Sequence, residues 1–173
     1  MGRSLGFQID NVIVTANRRY LYGYGRNMNL VSTRYEYFVF RYVPNIVGDD
    51  GRNFGVLLTE LPDDRTGTDL ERYVGVAFIS DLTSFGRFFR SWDDSDRELL
   101  LVFIQEMKAK VKSRVDSDEK GLSRALELLC EANSGIVAEG PMPLDATTSP
   151  DSELELLFLR EVERGELPET NPD

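Results

Sequence analysis

The sequence predicts an α+β domain, a mainly antiparallel sheet of three or four strands packed against two or three helices. Three observations carry that prediction. Between residues 34 and 80 the apolar residues fall in short runs rich in Tyr, Phe and Val, bounded by Pro, Gly and Asp. Beyond residue 95 the apolar spacing changes from the period of a strand to that of a helix. The links between the early runs are too short for the crossover that a parallel pair requires, so the runs form an antiparallel meander.

Residues 1–30 stand apart from the rest. They hold four arginines and one aspartate, whereas residues 31–173 hold 16 basic and 29 acidic residues. "FQIDNVIVT" (7–15) suits a short strand, but "RRYLYGYGRNMN" follows neither period. The segment reads as a weakly ordered arm. It is either upstream translated sequence, with a native start near Val31, or a tail that covers an edge strand. The domain proper spans 31–166 and 167–173 is a loose tail.

"RYEYFVFRYV" (34–43) places Tyr35, Tyr37, Val39 and Val43 on one face and Phe38, Phe40 and Tyr42 on the other. With both faces apolar it is a central strand, covered by helix on at least one side. Pro44 has no N–H for a ladder and ends it. "NFGVLLTEL" (53–61) is the second strand and "RYVGVAFIS" (72–80) the third, on either side of the polar turn "PDDRTGTDLE".

Ser95 followed by Glu98 has the form of a capping box. Leu100, Phe103, Met107, Val111 and Val115 then fall on one face of a helix over about 96–115. Leu122, Ala125, Leu126 and Leu129 mark a shorter helix near 118–132, stopped by "NSG". "GIVAEGPMPL" (135–144), apolar but broken by prolines, suits an edge strand. Ser149 as N-cap with Pro150 at the first helical position opens a last helix, with Leu154, Leu157, Phe158 and Val162 facing inward.

Composition narrows the chemistry. The chain of 173 residues is long enough for one domain with a real core, and 41% apolar residues is ordinary globular usage. A formal charge of -10 makes the surface as a whole repel nucleic acid and anionic lipid. The lone Cys130 has no internal disulfide partner, and no signal-like leader or membrane-length apolar run is present, so a soluble cytoplasmic protein is expected. With no histidine there is no Ser-His-Asp or Cys-His arrangement and no histidine metal ligand. Carboxylate, lysine or tyrosine chemistry remains, or none.

The candidate residues cluster around one loop, "PNIVGDDGR" (44–52). Its glycines lack the Gly-Lys-Ser/Thr of a phosphate loop, and its charge is wrong for an anion, so it reads as a hairpin bend. Asp49 and Asp50 form one of three acidic pairs with Asp63-Asp64 and Asp93-Asp94, but neither a calcium loop nor a two-metal spacing is present. No metal or cofactor is expected. Arg41, beside aromatics on a strand, suits a stacked residue paired with a carboxylate, or an anion contact. Asn53 opens the next strand. Phe85, Phe88, Phe89 and Trp92 recur around Arg87 and Arg90. They read as a core-facing turn, and any exposed remainder is a protein-binding patch.

Arg41, Tyr42, Val43 and Pro44, then Asn53, Gly55 and Val56, give an R-Y-V-P strand end and an N-x-G-V strand start. With the order of elements over residues 34–165, this resembles the bacterial family catalogued as domain of unknown function 3037. Members carry R-x-E-x-x-N before the second strand; this chain reads "GDDGRN", so Asp49 or Asp50 would have to replace the family's acid. The resemblance implies a small cytoplasmic bacterial protein encoded beside kinase-like proteins of the HipA type. It places any shared site at Arg41 and Asn53. The expectation from residues and resemblance together is a non-enzymatic binding or regulatory partner of another protein, not of nucleic acid or membrane, with homo-oligomers left open. The alternative is a carboxylate-based, metal-dependent hydrolase or nuclease using Asp49, Asp50 and a third acid.

Overall fold

A computed structural model describes residues 12–14, 33–44, 51–61, 73–112, 126–127, 129–131 and 135–163. The fold is α+β. Strands β1 (Val12–Val14), β2 (Thr33–Tyr42), β3 (Arg52–Glu60), β4 (Val74–Phe78) and β5 (Ile136–Ala146) form one antiparallel sheet in the order β1-β4-β3-β2-β5. β2, β3 and β4 are the expected meander, and β5 is the expected edge strand on the far side of β2. Val12–Val14 adds a fifth, three-residue strand by pairing with Val74–Val76. The rest of the arm, the 45–50 loop, the 62–72 turn and the tail from 164 lie outside the described residues.

β2 is central, as its two apolar faces require. Helix α1 (Leu82–Gly86) and helix α2 (Asp94–Lys112) cover one face. There Phe40, Phe54 and Phe78 meet Phe103 of α2 with ring centroids 5.3, 5.8 and 6.5 Å apart. Phe40, Phe54 and Phe103 are fully buried, each contributing about 1.5–3 kcal/mol through area removed from water. The other face carries Tyr35, Tyr37, Val39, Val56 and Leu58, all buried. Helix α3 (Pro150–Phe158) and a π-helical turn, Leu159–Glu163, pack there.

α3 begins as the sequence predicts. Ser149 caps it by accepting from the Ser152 N–H at 3.3 Å, Pro150 occupies the first turn, and Leu154, Leu157, Phe158 and Val162 are buried. α2 begins differently. Asp93 Oδ1 accepts from the N–H groups of Ser95 (2.8 Å) and Asp96 (3.1 Å), and Asp96 Oδ2 accepts from the Asp93 N–H (3.0 Å). The capping box is therefore Asp93/Asp96, not Ser95/Glu98. An ionised aspartate is the stronger acceptor at a helix N-terminus and starts the helix two residues earlier. Of the shorter helix expected near 118–132, residues 126, 127 and 129–131 are helical, with Leu126 and Leu129 buried.

The β2–β3 ladder is irregular at one point. Phe40 pairs with Gly55 but Arg41 pairs with Asn53, which leaves Phe54 as an extra residue in β3. Such a bulge reverses the alternation of side chains beyond it. Phe54 consequently points its ring into the Phe40–Phe78–Phe103 cluster, while Asn53 joins the α3 face. Gly55 lies under Phe78, and a Cβ there would meet the ring at Cδ1.

Candidate functional site

Arg41 and Asn53, the strand end and strand start named from the sequence, face one another as partners in the β2–β3 register. They flank the 45–50 loop. Asp49 and Asp50 belong to that loop and lie outside the described residues. Arg41 Nη1 donates to Glu139 Oε1 of β5 at 3.4 Å, with the Arg and Glu side chains 28% and 49% exposed. This is the carboxylate pairing expected for Arg41, and at that exposure it contributes little to stability. The guanidinium lies over the backbone at Gly51, where a Cβ would come within 2.5 Å of Nε.

Asn53 Nδ2 donates to the Glu161 carbonyl at 2.8 Å, reaching across to the π-helical turn. That turn widens the backbone hydrogen-bonding ring and leaves a carbonyl accessible to a side-chain donor. Around the same turn Arg160 Nε donates to Glu161 Oε1 at 2.7 Å, Arg160 Nη2 donates to the Tyr37 hydroxyl at 3.0 Å, and that hydroxyl donates to Glu161 Oε1 at 3.5 Å. Tyr37, Arg160 and Glu161 were not apparent as a group from the sequence, because Tyr37 and the two later residues are brought together only by the sheet and α3. The network ties the base of the 45–50 loop to the C-terminal helix.

The opposite face of the same sheet end is aromatic. Tyr42 pairs in register with Arg52 and meets Phe89 and Trp92 edge-on at 5.3 and 5.8 Å. Phe85 meets Phe89 and Trp92 at 5.3 and 5.9 Å, and Phe89 stacks on Trp92 at 6.0 Å. The Tyr42 hydroxyl donates to Asp96 Oδ1 at 2.5 Å and so joins the strand to the α2 capping box. Burial, and then the Asp96 carboxylate, raise the Tyr42 phenol far above its ordinary range. Asp81 caps α1 in the same manner, and the hydroxyl and N–H of Ser84 hold its carboxyl below the usual carboxylate range.

One ring of the aromatic series is left outside. Phe85, Phe89 and Trp92 face inward as the sequence predicts, but Phe88 is 49% exposed. The Arg52 guanidinium lies over it, 3.6 Å from the ring centroid. Arg87 and Arg90, on either side of Phe88 in the chain, are exposed. The backbone beneath is fixed by three successive bonds: Arg87 N–H to Ser84 O, Phe88 N–H to Phe85 O and Phe89 N–H to Gly86 O. The result is an arginine-flanked aromatic ring held on a rigid turn.

No group of three or more Cys, Asp or Glu side chains that could hold a metal occurs among the described residues. Cys130 is half-buried on the short helix, and burial raises its thiol. No helix among the described residues is long and apolar enough to cross a membrane. Compared with protein-family models, with curated proteins and with solved structures, the chain matches none.

Proposed function

We propose that this protein is a non-enzymatic binding or regulatory module that acts through another protein, in a cytoplasmic setting. The observation that carries the reading is Phe88, half exposed beneath Arg52 on a turn whose other aromatics form the core. Aromatic rings and arginines held in advance by packed neighbours are the residue types that dominate binding energy at protein interfaces. By contrast, Asn53 is spent on the Glu161 carbonyl and Arg41 pairs with Glu139, so both side chains serve the fold as well as any ligand. The family resemblance adds a candidate for the partner, a kinase-like neighbour of the HipA type.

The test is affinity purification of the tagged chain from its native host with the genomic neighbours present. The reading expects a defined protein to co-purify in stoichiometric amount and to be lost from the Phe88→Ser variant. Recovery of the chain alone would count against it.

A further inference from the structure

We draw no further inference here: the strongest candidate, the half-exposed Phe88 ring beneath Arg52 on the turn after α1, belongs to the surface already described, and nothing in the structure shows what covers it.

Discussion

Asp93 shows how much a single carboxylate decides at this end of the sheet. It accepts two of the first amides of α2, and its reciprocal partner Asp96 also receives the Tyr42 hydroxyl. Asp93→Ala is expected to cost about 1 kcal/mol in urea unfolding, whereas Ser95→Ala should cost nothing measurable. Equal effects would restore Ser95 as the cap. The phenols of Tyr42 and Tyr73 make a second residue-scale case. Burial is the first cause of the rise at both, followed by Asp96 for Tyr42 and Asp151 for Tyr73, so both stay protonated in the folded state well above the ordinary value. A raised native value means that the protonated form contributes stability in full below the unfolded phenol's value of about 10, and that the contribution is lost as pH rises past it. Tyr42→Phe and Tyr73→Phe should therefore leave the native phenolate absorbance unchanged near that pH. A proportional drop in either variant would show that the phenol titrates normally.

At the scale of elements, the bulge at Phe54 is what gives β3 two functions. It sends Phe54 into the aromatic core and Asn53 to the π-helical turn, and it brings Gly55 beneath Phe78. Gly55→Ala should destabilise by about 1–3 kcal/mol, since the new methyl meets both the buried Phe78 ring and the Ala77 carbonyl oxygen. Its measure is the denaturation midpoint at unchanged slope. β1 is the opposite case, a three-residue edge pairing. Removal of residues 1–30 is expected to lower the melting temperature by no more than about 2–4 °C, equivalent to about 1 kcal/mol; a larger fall would make the arm part of the fold.

These elements also mark where the sequence can be read and where it cannot. The period-2 runs of β2 to β4, and the Ser149-Pro150 start with its four inward residues, are local patterns, so sequence and structure agree there. The bulge leaves no local mark, because Phe54, Val56 and Leu58 keep the two-residue spacing of a regular strand; only pairing with Arg41 and Phe40 reveals the extra residue. The α2 cap was misplaced because both Asp93 and Ser95 are good N-cap residues, and the choice rests on Asp96, which Tyr42 also holds from a different element. Arg52 carried no signal at all, since its ring, Phe88, belongs to a segment that reaches it only through the sheet.

Over the whole molecule the two faces of one sheet end differ in character. On the α3 face Asn53, Tyr37, Arg160 and Glu161 form a closed polar network, and Arg41 is paired with Glu139; on the α1–α2 face a packed aromatic floor ends in an exposed ring under an arginine. An exposed apolar residue alone would mean little, since Leu156 is 55% exposed on α3 without flanking arginines of this kind. Leu156 is for that reason the proper control for the proposed binding through Phe88. The direct measurement is the amount of native partner retained by Phe88→Ser and by Leu156→Ser, purified side by side from the native host. The partner is expected to be lost with the first and retained with the second. Retention with Phe88→Ser, or equal loss with both, would contradict it.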